Sequence, residues 1–332
     1  MKKGAFLRVF ISLLFIGILI FSFRGEMGEI LRILKGIQPF LFFVSLFLQL
    51  VGVWMMSIRL KIMFHAQKMD LSLKEVVELN FLGIFFNNFL PTAAGGDISK
   101  AFFAFQKTKK KLESFACVLG DRFIGLFTLL ALAFFGMFVL WSELDFSTKL
   151  SVGILFGIGS FFLSFMFSHR VARAVKFLFV PLEKMGLDRR VDQAYRFLHE
   201  LSQNKMALGK ALGISVVSHI LFVASAFFLI RSLAASESFI RLFVVLPLVV
   251  ALSMLPSLNG LGIREGAFIF YLGKTVGKGN AFALSILWLA LMGIQSLIGG
   301  ILYFFYEFRR IPITTVKEMA EVAEEIREGK AQ

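Results

Sequence analysis

The chain has 332 residues, of which 58% are hydrophobic and 43 are phenylalanine. Soluble domains average about 45–50% apolar residues, so this composition excludes an ordinary water-soluble enzyme. The net charge of +14 does not indicate nucleic-acid binding, because the basic residues lie in short connections between apolar runs, where anionic lipids attract them. Cys117 is the only cysteine, which excludes an intramolecular disulfide and a cysteine-based zinc site.

Long apolar segments, taken in chain order, predict membrane-spanning helices. A helix needs about 20 apolar residues to cross a hydrocarbon core of roughly 30 Å, and it satisfies its own backbone hydrogen bonds there. The predicted spans are residues 9–23, 39–58, 123–142, 150–168, 211–230 and 280–306. The first follows Lys2 and Lys3 and has no small-residue cleavage site, so we interpret it as an uncleaved span.

The connections between these segments set the predicted orientation, since lysine and arginine collect on the cytoplasmic side. Residues 57–74, 100–111 and 169–210 are rich in basic side chains, whereas residues 141–149 hold more acidic than basic side chains. We therefore expect a multi-pass protein of the inner membrane with both termini in the cytoplasm. The membrane domain would cover residues 1–311, with an amphipathic cytoplasmic stretch at about 170–210 and a cytoplasmic tail at 312–332.

Two further segments, at about 76–104 and 242–273, lie between connections that are assigned to the same side. The centre of each contains Leu-Pro followed by glycines, which are poor helix formers. We expect two re-entrant helical hairpins that enter from opposite faces, an inverted repeat that places a binding site where the repeats meet. The predicted hairpin tips contain Pro91, Gly95 and Gly96 in the first repeat and Pro256, Gly260 and Gly262 in the second. Alternatively, the Leu-Pro likeness arises by chance and residues 242–263 span the membrane alone.

Polar side chains at membrane depth are the candidate functional residues, because a charge there costs roughly 2.5–3.5 kcal/mol. We expect the basic ones to hold a phosphate group and the acidic ones to offset charge or to receive a cationic headgroup. The candidates for binding a lipid headgroup are Asn87, Asn88, Asp97, Lys100, Asp121, Arg122, Arg264 and Glu265, to which Arg59 and His219 are added as further candidates.

The candidates of the first repeat also have structural interpretations. Asp97 could cap a helix that begins after the glycines, while Lys100 lies one turn further on. Asp121 and Arg122 are adjacent on a helix and point about 100° apart, so each needs a partner elsewhere. Arg122 could instead anchor the helix at the membrane surface, and the two asparagines could stabilise the hairpin.

The remaining candidates have structural interpretations of the same kind. The Arg264–Glu265 pair could form a salt bridge, through Arg264, with Asp97 or Asp121 across the repeat interface. Arg59 could mark only the cytoplasmic end of its span, and His219 could be a hydrogen-bonded packing residue. The sequence contains no nucleophile-elbow, zinc-protease, Walker or dinucleotide motif, so we expect no enzyme activity, no metal and no cofactor.

Three ordered motifs resemble the lysylphosphatidylglycerol synthase transmembrane-region family, the flippase-type membrane domain of bacterial multiple peptide resistance factors. They are Asn-Asn-Phe-Leu-Pro-x-x-x-Gly-Gly-Asp-x-x-Lys at 87–100, Asp-Arg at 121–122, and Leu-Pro-x-x-x-Gly-x-Gly-x-Arg-Glu-Gly at 255–266. The resemblance implies opposed re-entrant hairpins, a lipid cavity and, often, a homodimer. Lys100 stands where relatives often have arginine, which weakens the expectation of bidentate phosphate binding.

These observations predict a lipid translocase that moves an anionic or zwitterionic phospholipid, or a lipid-linked headgroup, between leaflets through a central cavity. The chain contains no soluble aminoacyl-transferase domain like that of the resistance factors, so we do not expect it to make lysyl-lipid. Two alternatives remain: a secondary transporter of a small charged solute, and a non-transporting protein that presents a lipid to a partner transferase.

Overall fold

The computed structural model describes residues 27–89, 95–167, 203–255 and 260–305. Within these ranges the chain is helical and contains no strand. The described helices are α1 (Met27–Lys35), α2 (Pro39–Ala66), α3 (Leu73–Phe89), α4 (Gly95–Thr108), α5 (Lys111–Val139), α6 (Phe146–Phe167), α7 (Lys205–Ser232), α8 (Phe239–Ser253), α9 (Ile263–Leu272) and α10 (Lys278–Phe305). The predicted span at 9–23, the tail at 312–332 and most of the amphipathic stretch predicted at about 170–210 lie outside the described residues, and the end of that stretch forms the start of α7.

Four helices, α2, α5, α7 and α10, are long and apolar enough to cross a membrane. They contain the predicted spans at 39–58 and 211–230 and most of those at 123–142 and 280–306. The predicted span at 150–168 coincides with α6, which is apolar but shorter over its well-described part. The chain is therefore an all-helical, multi-pass membrane protein over the residues that the structure describes.

The long helices pack through small and hydroxyl side chains, as helices in lipid commonly do. Helix α2 lies along α7, where the buried Ser45 and Ser225 hydroxyls hydrogen-bond each other at 2.8 Å. Helix α3 crosses α10 so closely that a Cβ on Gly299 would lie 2.2 Å from the carbonyl oxygen of Phe81. These contacts fix the helices that surround the polar interior.

Helices α3 and α4 form an antiparallel hairpin. At its open end Lys107 Nζ of α4 lies 2.8 Å from Glu75 Oε1 of α3, and near its tip Gly96 N–H donates to Asn87 Oδ1 at 2.8 Å. A Cβ on Gly96 would lie 2.2 Å from the Gly83 carbonyl oxygen, so only glycine allows the arms to approach this closely. The tip residues 90–94, which include Pro91, lie outside the described residues.

Helices α8 and α9 form a second antiparallel hairpin. Its open end is joined by a hydrogen bond from Thr275 Oγ1 to Glu237 Oε2, and Gly260 packs against Ser253 near its tip. Gly260 and Gly262 have φ values of +78° and +84°, a backbone conformation that favours glycine. Residues 256–259, including Pro256, lie outside the described residues. Within the described residues, both segments predicted to be interrupted thus contain two antiparallel helices.

Candidate binding cavity between the two hairpins

A cavity of about 460 Å³ lies between the two hairpins and is lined by side chains from α2, α3, α4, α5, α7, α8, α9 and α10, together with the turn before α9. The structure brings most of the predicted site residues to its wall. Those that line it are Arg59, Asn87, Asn88, Asp97, Lys100, Asp121, Arg122, His219, Gly260 and Arg264. Four other predicted residues do not line the cavity and lie instead at the starts of α4 and α9: Gly95, Gly96, Gly262 and Glu265.

The first pair in the cavity joins Arg59 of α2 to Asp121 of α5. The guanidinium donates through Nε to Asp121 Oδ1 at 2.6 Å and through Nη2 to Oδ2 at 2.9 Å, while Nη1 donates to Ser215 Oγ at 2.8 Å. Arg59 is 2% exposed. Arg59 therefore does not end its helix, because α2 continues to Ala66, and the side chain lies inside the protein.

A second cluster joins α4 to α5 around one carboxylate. Arg122 Nη1 donates to Asp97 Oδ2, and Lys100 Nζ lies 3.3 Å from Asp97 Oδ1. The lysine also approaches Asn80 Oδ1 at 3.4 Å, and its stem occupies the space left by Gly83, where a Cβ would lie 2.8 Å from Lys100 Cγ. Arg122 keeps a third of its side chain exposed, so this cation reaches the cavity while bound to Asp97.

Asp121 and Arg122 each bind a partner on another helix, which agrees with the prediction that these adjacent residues do not pair with each other. The Asn87 amide oxygen accepts from the Gly96 N–H and so ties α3 to the start of α4. This bond favours the structural interpretation of Asn87 as a stabiliser of the hairpin. Asn88 is exposed and faces the cavity.

In the second hairpin, Arg264 and Glu265 bind each other. Arg264 donates through Nη2 and Nε to Glu265 Oε1 at 2.7 and 3.1 Å, and Glu265 Oε2 accepts from the Gly262 N–H at the start of α9. Salt bridges from this pair to Asp97 or Asp121 are not formed. The physical reason is that cations of the first repeat already occupy both carboxylates, while the turn at Gly262 directs Glu265 back towards Arg264.

His219 and several amides complete the wall. His219 Nε2 lies 2.8 Å from the Gly125 carbonyl oxygen, as expected for a hydrogen-bonded packing residue, although the ring also faces the cavity. Sequence reasoning missed Gln49, Asn80 and Gln295, which line the cavity as well. The signal that could have found them is a buried amide within an apolar run, since such a group needs a partner.

The charges around the cavity do not cancel. The lining cations Arg59, Lys100, Arg122 and Arg264 stand against two lining carboxylates, Asp97 and Asp121, and against Glu265 directly behind Arg264. Four cations and three carboxylates leave a net charge of +1. Between them the wall is apolar, with α5 and α8 contributing aliphatic side chains. A net positive, mostly apolar cavity favours an anion that carries hydrocarbon.

The fold and the cavity define a helical, multi-pass membrane protein with a charged internal site between two helical hairpins. The chain belongs to the family described as the lysylphosphatidylglycerol synthase TM region, whose sequence model matches residues 6–300. The match covers both hairpins and every side chain of the cavity discussed above. Comparison with curated proteins gave no significant match.

Proposed function

We propose that the protein is a lipid translocase that carries a phosphate-containing headgroup across the bilayer through this cavity. The observation that carries the proposal is the net positive, mostly apolar cavity between two helical hairpins. A phospholipid headgroup needs cationic and N–H donors along its path, because an unpaired charge in hydrocarbon is costly. Membership of the family is consistent with a lipid as substrate.

The proposed path requires the hairpins to be re-entrant and opposed. The arms α3, α4, α8 and α9 contain 17, 14, 15 and 10 residues. At 1.5 Å per residue each arm is about 15–26 Å long, less than the roughly 30 Å core. The first hairpin opens between basic connections, and the second lies between α7, expected to run outward, and α10, expected to run inward. We therefore assign their mouths to opposite faces, the arrangement of an inverted repeat.

Arg122 and Lys100 are the proposed phosphate ligands in the first hairpin. Both already share Asp97, so an incoming phosphate oxygen would replace one carboxylate contact rather than meet a bare charge. Arg264 is the proposed ligand in the second hairpin. Aliphatic side chains of the cavity wall, such as Leu126 and Val249, would contact the upper part of the acyl chains.

The proposed activity is transport without covalent chemistry, in the inner membrane and with both termini in the cytoplasm. Rocking of the two repeats would expose the headgroup to each leaflet in turn. A homodimer or a partner transferase is compatible with this activity, but the proposed cavity forms within one chain and needs neither.

Reconstitution into vesicles tests the proposal. Purified protein is placed in vesicles that contain phosphatidylglycerol with an NBD fluorophore on one acyl chain. Dithionite bleaches only the fluorophores in the outer leaflet, so the slow loss of the remaining fluorescence measures how fast labelled lipid reaches that leaflet. We expect Arg264→Ala to lower the rate about tenfold or more, the loss of a hydrogen bond to a charged group. Arg231→Ala is the control, since Arg231 is exposed at the end of α7 and away from the cavity. Equal rates for wild type and Arg264→Ala, with folding intact, would rule out the proposal.

A further inference from the structure

A second polar cluster lies in the cavity wall apart from the ion pairs of the first hairpin. Gln295 of α10 donates through Nε2 to Gln49 Oε1 of α2. Gln49 Nε2 then has no hydrogen-bond partner among the described residues, although Gln49 is only 7% exposed. A buried donor without a partner is unfavourable, because it has given up its hydrogen bond to water. Both glutamines line the cavity, so a ligand acceptor placed there would satisfy this N–H group after a small movement of the Gln49 side chain.

Arg264 belongs to the same cluster through α10. Its Nη1 donates to Met292 Sδ at 2.9 Å, and a thioether is a weak acceptor. Met292 and Gln295 are three residues apart on α10 and therefore share one face of that helix. All of these side chains line the same cavity. The cavity wall thus contains one guanidinium N–H, of Arg264, with only a weak acceptor, and one amide N–H, of Gln49, with no acceptor among the described residues.

This cluster is separate from the cations of the first hairpin. Gln49 and Arg59 are ten residues apart on α2, which is about 15 Å along the helix axis. That separation is roughly half the thickness of the hydrocarbon core. Gln49 and the part of the cavity beside Arg59 thus lie at different depths along α2, as successive positions of one headgroup would.

We propose that Gln49, supported by Gln295, and Arg264 form a second headgroup station that takes phosphate and hydroxyl oxygens. The proposal rests on the translocase function and specifies its substrate class. Both groups offered by the station are donors, whereas Asp97, Asp121 and Glu265 are each held by at least one cation. The station therefore suits an anionic headgroup rich in oxygen and disfavours one that ends in a primary amine.

The test compares apolar replacements of the two glutamines in the full-length protein. Gln49→Met removes the donor at nearly constant volume, and we expect about a tenfold lower rate with acyl-labelled phosphatidylglycerol. A purely structural amide pair would be nearly neutral when both partners become apolar. The Gln49→Met/Gln295→Met double variant therefore separates the two roles: a rate as low as that of Gln49→Met supports the station, and a restored rate overturns it.

Ser45→Ala is the matched control on α2, because Ser45 lies four residues from Gln49 and bonds to Ser225 rather than facing the cavity. We expect it to keep the wild-type rate. The wild type should also move phosphatidylglycerol faster than acyl-labelled lysylphosphatidylglycerol, and equal rates would overturn the substrate class. If the wild type moves neither lipid, the translocase function itself fails. If the wild type moves these lipids and Gln49→Met moves them at the same rate, the second station is wrong while the translocase function stands.

Discussion

At the residue scale, the buried guanidinium of Arg59 is the best-paired charge of the cavity wall. All three of its nitrogens donate hydrogen bonds, two to Asp121 and one to Ser215. A charge in a low-dielectric interior is tolerated only with such complete partners. The pair therefore holds α2 against α5 at the cavity wall, and it contributes a fixed positive charge that is largely offset by its carboxylate.

Asp121→Asn tests this role, since it leaves Arg59 charged and buried without its anion. We expect the variant to lose about 3–5 kcal/mol of unfolding free energy, measured as a lower thermal midpoint of the purified protein in detergent. Glu75→Gln is the control, because it breaks a partly exposed ion pair with Lys107 that should be worth about 0–1 kcal/mol. Equal midpoint shifts in the two variants would contradict the structural role given to Asp121.

At the element scale, the two hairpins depend on close backbone approach. Gly96→Ala would place a Cβ 2.2 Å from the Gly83 carbonyl oxygen and 2.7 Å from the Asn87 side chain. Because the nearest atom is backbone, the arms of the first hairpin must separate, at a cost of about 1–3 kcal/mol. We expect a lower thermal midpoint and slower lipid movement in vesicles.

Gly213→Ala on α7 is the matched control for that variant. A Cβ at this position meets nothing within 4 Å, and alanine favours a helix over glycine by about 0.5–1 kcal/mol. Its thermal midpoint should stay the same or rise slightly. A Gly96→Ala protein as stable and as active as Gly213→Ala would show that the tight crossing of α3 and α4 is not needed.

The elements were more predictable from the sequence than their contacts. Proline, glycine and the placement of basic residues predicted both hairpins, because these features act locally on the backbone or through the membrane. The partner of Arg59 was not predictable, since it depends on how α2 and α5 are rotated about their axes. The same holds for Gln49 and Gln295, which are 246 positions apart in the chain. For Arg264 a salt bridge across the repeats was one alternative, yet the turn at Gly262 supplies Glu265 as a nearer anion.

At the scale of the whole molecule, the cavity exists only because both hairpins and the long helices α2, α5, α7 and α10 contribute to it. Neither hairpin alone encloses a site, and the excess of positive charge arises from cations on four different helices. The proposed translocation follows from this arrangement: a headgroup can remain paired with donors at each depth while its acyl chains stay in lipid. The central claim is that the hairpins enter from opposite faces to form this one site.

Labelling of single cysteines with a membrane-impermeant maleimide tests that claim most directly. The buried Cys117 is replaced by alanine, and cysteine is introduced in place of Lys109, beside the mouth of the first hairpin, or Lys274, beside the mouth of the second. Both lysines are exposed. In intact cells we expect labelling at position 274 and none at position 109 until the membrane is permeabilised. Labelling of both positions from the same side would contradict opposed hairpins and the cavity path built on them.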